Sequence, residues 1–129
     1  MGIACGVMNT LATIAIVDDD ASIRDALGNL LRAAEFDVLA FASAEDFLDS
    51  LDGKPIGCLI ADINLPGMSG VALVEALAGA GRDLPAILIT ARDDANTLSL
   101  LRRAAHAPHL RKPFSDEELF AAIRQVLPG

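Results

Sequence analysis

A chain of 129 residues, 53% of them hydrophobic and 22% charged, carries enough apolar material for one compact core and too much for a disordered segment. Five Phe with no Trp or Tyr leave that core to Leu, Ile, Val and Ala. A formal charge of −8 argues against this domain itself gripping a nucleic-acid backbone, and two cysteines, Cys5 and Cys58, offer neither a metal-ligand spacing nor a disulfide framework.

Residues 1–10 carry no pattern and read as an N-terminal extension to a domain over residues 11–129; Met8 could equally start the chain. The stretch to Val17 lacks a basic leader and runs into acids, so neither a secretion signal nor a membrane span is predicted, and a cytoplasmic location is expected. Leu11 to Val17 is a short apolar run ending in Asp18-Asp19-Asp20, the pattern of a buried strand meeting a turn. Ile23, Ala26, Leu27, Leu30, Leu31 and Ala34 then recur at three and four, one face of a helix. Asp37 to Phe41 reads as a second strand, and Ser43-Ala44-Glu45-Asp46 as a helix start. Ile56 to Ala61 is a third apolar strand with Asp62 at its carboxyl end, and Cys58 within it reads as a small core residue. Proline and two glycines mark Pro66-Gly67-Met68-Ser69-Gly70 as a loop, before a helix over Val71 to Ala80 that stops near Gly81. Pro85 to Thr90 is a fourth strand, Asp94 to Ala105 a fourth helix, and His109 to Arg111 a brief fifth strand. Ser115-Asp116-Glu117-Glu118 is a capping box opening a last helix that runs to about Leu127.

Five β-α units whose strands lack polar alternation predict a parallel sheet covered on both faces. The expected fold is a flavodoxin-like α/β sandwich with strand order 2-1-3-4-5, in which ligands bind beyond the carboxyl ends of the strands. At those ends stand Asp18 and Asp19, then Asp62, Thr90 and Lys112. Each has a duller reading: an acidic run caps a helix, an Asp before Pro-Gly makes a turn, a lone Thr or a Lys before proline carries no message. Their joint placement at one sheet edge is another matter. Three carboxylates repel unless a cation offsets them, and Mg²⁺ suits one or two carboxylates with waters and a phosphate.

Val17-Asp18-Asp19-Asp20, Asp62-Ile63-Asn64-Leu65-Pro66-Gly67-Met68-Ser69-Gly70, Thr90-Ala91 and Lys112-Pro113-Phe114 together resemble the signature of two-component response-regulator receiver domains. The spacings of 43 residues from Asp19 to Asp62, 28 to Thr90 and 22 to Lys112 follow the family's layout, over about residues 12–127. The resemblance implies that Asp62 accepts a phosphoryl group from a phosphohistidine on a sensor histidine kinase or phosphotransfer protein. It implies Mg²⁺ held by Asp19, by Asp18 directly or through water, by Asp62 and by the backbone carbonyl of Asn64. Thr90 would hydrogen-bond the phosphoryl oxygens, Ala91 would leave them room, and Lys112, after which a cis bond to Pro113 is expected, would pair with them. Such a protein is not a turnover enzyme; it acts only on its own phosphorylation state. A homodimer through the fourth helix, fifth strand and fifth helix is a further implication, with no direct nucleic-acid or membrane contact.

The chain departs from the family's pattern where a Phe or Tyr ring, three residues before the lysine, usually swings inward with the threonine. His109 stands there, so either the coupling to that face is weak or His109 is simply a half-exposed strand residue. Asn64 and Arg92, two residues beyond Asp62 and Thr90, sit where the family tunes dephosphorylation, though a solvated Arg92 reads equally well. A haloacid-dehalogenase-type phosphatase using Asp18 as nucleophile is one alternative, but it leaves Asp62 and the Pro-Gly-Met-Ser-Gly loop unexplained. A pseudo-receiver that only binds a partner is another. Whether the domain is a stand-alone relay or phosphate sink, or is joined to a helix-turn-helix regulator, stays open in the sequence.

Overall fold

The computed structural model describes residues 13–51, 55–82 and 84–127. The expected extension over residues 1–10, Cys5, Met8 and the first two residues of the strand read from Leu11 lie outside them. Five β-α units follow in chain order: β1 (Thr13–Val17), α1 (Ala21–Ala33), β2 (Asp37–Phe41), α2 (Ala44–Asp49), β3 (Cys58–Asp62), α3 (Gly70–Gly79), β4 (Ala86–Thr90), α4 (Ala95–Arg103), β5 (His109–Arg111) and α5 (Asp116–Val126). All strand pairs are parallel and the order is β2-β1-β3-β4-β5, as the alternation of elements predicts.

Strand parity divides the core. Ala15, Val17, Leu59, Ala61 and Leu88 face one way and pack with Phe47, Val71, Leu73 and Leu77 from α2 and α3. Ile14, Ile16, Ile60, Ile87 and Ile89 face the other way against Leu27 and Leu31 of α1 and Leu119 and Ile123 of α5. The apolar runs of β1, β3 and β4 follow from burial on both faces, while the edge strands β2 and β5 are half open. Cys58 is fully buried, and burial pushes its thiol up to about 12, so it is an inert core residue.

Each helix starts on a side-chain cap. Asp20, Ser43, Ser69, Asp94 and Ser115 accept backbone N–H groups from the first turns of α1 to α5, and Ser115 with Glu118 completes the expected capping box. Several boundaries differ from the sequence reading by a residue or two, and three of them have a visible cause. The third strand runs over Cys58–Asp62, because Ile63 N still donates to Ile89 O and carries the ladder past Ala61. The third helix begins at Gly70, one residue early, on the Ser69 cap. The fourth ends at Arg103, where Ala104 N turns to Leu101 O and Ala107 N to Ala104 O ahead of Pro108, which disfavours helix at the residue before it. The α1 face is also narrower than its periodicity: Leu27 and Leu31 are buried and Ile23 and Leu30 half-buried, but Ala26 and Ala34 are exposed.

Gly70 sets how closely α3 approaches the end of β3. A Cβ there would lie 2.4 Å from the Asp62 carbonyl oxygen and 3.2 Å from Ile63 Cα, backbone atoms that cannot swing aside. The absent side chain lets the start of the helix close over the strand, where Gly70 N bonds Ile63 O at 3.1 Å. Gly70→Ala is expected to destabilise the fold by about 1–3 kcal/mol in urea denaturation. Gly79→Ala, at a position with nothing within 4 Å of the new methyl, should cost nothing.

Candidate functional site

Parallel strands bring their carboxyl ends to one edge, and the register sets who meets whom. Val17 pairs with Ala61 and Asp62 with Ile89, so the residues after β1, at the end of β3 and at the end of β4 are neighbours. Of the three acids after β1, Asp20 is spent on capping α1, its Oδ1 accepting Ser22 N at 2.8 Å. Asp18 and Asp19 are left to the site. Ligand oxygens of Asp18, Asp19 and Asp62 all lie within 4.8 Å of one another, an oxygen-only set able to hold a hard divalent cation.

Asp18 is 1% exposed and Asp62 7%. Lys112, following β5, reaches both: Nζ donates to Asp62 Oδ2 at 2.9 Å and to Asp18 Oδ2 at 3.2 Å. The Lys112–Pro113 bond is cis, as the resemblance implies. The other oxygens take backbone donors, Asp18 Oδ1 from Asp20 N at 2.9 Å and Asp62 Oδ1 from Asn64 N at 2.8 Å. Arg24 of α1 donates to the Asp18 carbonyl at 2.7 Å and adds positive charge behind the turn; nothing in the sequence marks it out from other surface arginines. Among the described residues no buried side-chain nitrogen or oxygen lacks a partner.

The two partners of the Asp18–Lys112 pair respond unequally. Burial raises the Asp18 carboxyl above its ordinary value, and nearby Asp62 raises it further; the Asp20 N–H and Lys112 only partly offset this. Burial also works against the Lys112 ammonium, but the bond to Asp62 and the charges of Asp62 and Asp18 outweigh it and hold the pKa above its usual value. Lys112 therefore stabilises the fold below its ordinary 10.5, and the contribution is lost only as pH rises through the higher folded-state value.

Thr90, buried at the end of β4, alternates onto the opposite side of the sheet from Asp62. Its hydroxyl lies 3.2 Å from Asn64 Oδ1 and 3.1 Å from Arg92 O, and accepts Arg92 N at 3.0 Å. Ala91 and Arg92 are exposed beside it. Asn64, Arg92 and Asp19 line a cleft of about 470 Å³ between the β3–α3 loop and α4. The Asn64 amide also donates to Thr97 Oγ1 at 3.2 Å, a contact that sequence reasoning missed because a threonine on a helix normally reads as a surface residue. His109 is exposed and pairs in register with Leu88, two residues short of Thr90.

Residues 14–124 match the family model of the response regulator receiver domain. Over 126 residues the chain is 35% identical to the transcriptional regulatory protein FixJ of Bradyrhizobium diazoefficiens, covering 95% of this chain and 62% of that protein. The solved response regulator StyR superposes with a TM-score of 0.78 at 38% identity, covering 91% of this chain and 59% of StyR. The crystal structure of FixJ-N superposes with a TM-score of 0.80 at 32% identity, covering 89% of this chain and 92% of its own. The chain belongs to the response-regulator receiver family. It is a phosphoacceptor domain of a two-component system, acting only on the phosphorylation state of its own aspartate, and this displaces the phosphatase alternative. It spans roughly half to three-fifths of the length of the curated regulators it matches, 62% of FixJ and 51% of TdiR from Thauera aromatica. Among the described residues no helix is long and apolar enough to cross a membrane.

The Asp18 shift has a measurable consequence. Because the folded chain holds that proton more tightly than the unfolded one, ionised Asp18 costs stability at neutral pH, and the cost vanishes as pH falls from the raised value toward 3.8. Asp18→Asn, which keeps an acceptor for Asp20 N, is expected to raise the melting temperature of the metal-free protein at pH 7, with the gain shrinking toward pH 4. A melting temperature unchanged or lowered at pH 7 would contradict this balance.

Proposed function

We propose that Asp62 is the phosphoacceptor, taking its phosphoryl group from a phosphohistidine of a sensor histidine kinase or phosphotransfer protein. The observation that carries this reading is the Asp62 carboxylate, fixed by Asn64 N and Lys112 and within ligand reach of Asp18 and Asp19. An Asp62 oxygen attacks phosphorus, the bond from phosphorus to the donor imidazole nitrogen breaks, and the imidazole leaves. The chemistry asks little beyond positioning and charge neutralisation. Lys112 stays with the incoming oxygens, and the Thr90 hydroxyl turns from Asn64 and Arg92 to bond one of them, with exposed Ala91 leaving the space. Asp19, Asp18, Asp62 and the Asn64 carbonyl would hold Mg²⁺, which would supply the remaining positive charge. Asn64 and Arg92, bordering the cleft, tune the approach of the water that later hydrolyses the acyl phosphate.

The donor has a place to sit. A groove of about 630 Å³ that Lys112 helps to line is bounded by Ile23, Ala26, Leu27 and Leu30 of α1 with Pro113 and Phe114, a mostly apolar wall. An amphipathic helix carrying the phosphohistidine fits it, since an apolar stripe placed there brings the imidazole toward Asp62. On the output side, we read the face of α4, β5 and α5 as the homodimer surface. Leu98 of α4, at 43% exposure, and exposed His109 belong to that face. A cytoplasmic location accords with a kinase donor.

Incubation with acetyl phosphate and Mg²⁺ is expected to add one phosphoryl mass per chain in intact-mass spectra, and none to Asp62→Asn. Asp19→Ala should lower the rate of incorporation by at least about tenfold, the scale of losing one metal ligand. Equal incorporation in wild type and Asp62→Asn would remove Asp62 as acceptor, and sustained turnover of a simple phosphomonoester would revive Asp18 as a nucleophile.

A further inference from the structure

Thr97 is fully buried and is the one buried residue of α4, although that helix is otherwise half open to solvent. A buried hydroxyl needs a partner, and Thr97 Oγ1 has one in Asn64 Nδ2 at 3.2 Å. Its backbone N is held by the Asp94 cap at 2.8 Å, so the contact sits in the turn that starts the helix. On its other side the same Asn64 amide accepts from Thr90 Oγ1 through Oδ1 at 3.2 Å, and Asn64 N donates to Asp62 Oδ1 at 2.8 Å. One asparagine therefore touches the acceptor carboxylate, the threonine hydroxyl of β4 and the first turn of α4.

We propose that Thr97 is a positioning residue through which the state of Asp62 is relayed to the first turn of α4, with Asn64 as the bridge. Thr90 has a single hydroxyl proton, and Asn64 Oδ1 and Arg92 O already compete for it. When that proton turns to a phosphoryl oxygen, Asn64 Oδ1 loses its donor. The amide then rotates to find another, which draws Nδ2 away from Thr97 and leaves a buried hydroxyl to be satisfied from within the first turn. Asn64 is thus bound to both Thr90 and Thr97 in the resting state and released from both in the phosphorylated one, the two-state element that a relay requires. The route bypasses exposed His109. It rests on the assignment of Asp62 as acceptor.

The test is amide hydrogen exchange of Thr97 and Leu98 in the whole chain, with Mg²⁺ alone and with Mg²⁺ and beryllofluoride. Leu98 N donates to Asp94 O at 3.0 Å, so both amides report on the first turn. In wild type, beryllofluoride is expected to speed their exchange about fivefold, the scale of one net hydrogen bond. Thr97→Val, which keeps the shape and deletes the hydroxyl, should exchange fast without beryllofluoride and respond less than about twofold when it is added. Thr97→Ser should restore the wild-type response. Both variants should still take one phosphoryl group from acetyl phosphate. Wild type that takes the group but leaves these amides unmoved, or a Thr97→Val response equal to wild type, would overturn the relay alone. No incorporation at Asp62 in wild type would overturn the acceptor assignment and the relay with it.

Discussion

Lys112 bonds two buried or nearly buried carboxylates at once, and the site depends on that double contact. Asp18, Asp19 and Asp62 stand within ligand distance of one another around this single ammonium, with Arg24 helping only from behind the Asp18 carbonyl. Burying Asp18 there costs stability: burial first, and the neighbouring Asp62 charge after it, raise its carboxyl above the ordinary value. One ammonium cannot balance three carboxylates. The surplus negative charge suits the place to a hard divalent cation, and such a cation would in turn make it hospitable to the three oxygens of a phosphoryl group.

The rest of the fold serves this concentration of charge. A parallel sheet buried on both faces holds β1, β3 and β4 rigidly enough that residues at their carboxyl ends keep register, Val17 beside Ala61 and Asp62 beside Ile89. Strand parity then sorts the chemistry. Asp62, with Lys112 bonded to it, falls on the side of α1 and α5, and Thr90 falls on the opposite side, with α4. Gly70 allows the start of α3 to lie directly on the Asp62 backbone, and Gly67, at φ 76°, leaves room for Glu45, whose carboxylate accepts Met68 N at 3.3 Å. The loop after Asp62 is pinned from both sides.

Most of this was legible in the sequence for stated reasons. The apolar runs, caps and Pro-Gly loop each report a local preference, and a buried parallel sheet has few ways to arrange five such units, so the order 2-1-3-4-5 followed. Asp18, Asp62 and Lys112 were found because strand ends are countable and their charges make sense only together. Boundaries shifted where tertiary bonds decided them, as when Ile63 N extended β3 and Pro108 shortened α4. Two features had no local signal. The end of α1 places Glu35 at φ 71°, a conformation glycine usually marks, with Phe36 N closing onto Leu31 O at 3.1 Å. The Asn64–Thr97 contact joins residues 33 apart, and neither residue type announces the other.

If the acidic cluster and Lys112 form one cation-dependent site, Mg²⁺ titration followed by amide NMR reads it most directly. Saturable binding of one ion per chain is expected, with the largest shifts at residues 18–20 and 62–64 and in the Lys112 side-chain signal as its carboxylate partners are shared with the metal. Shifts spread weakly over the acidic surface without saturation, or confined to exposed acids away from Asp62, would contradict it.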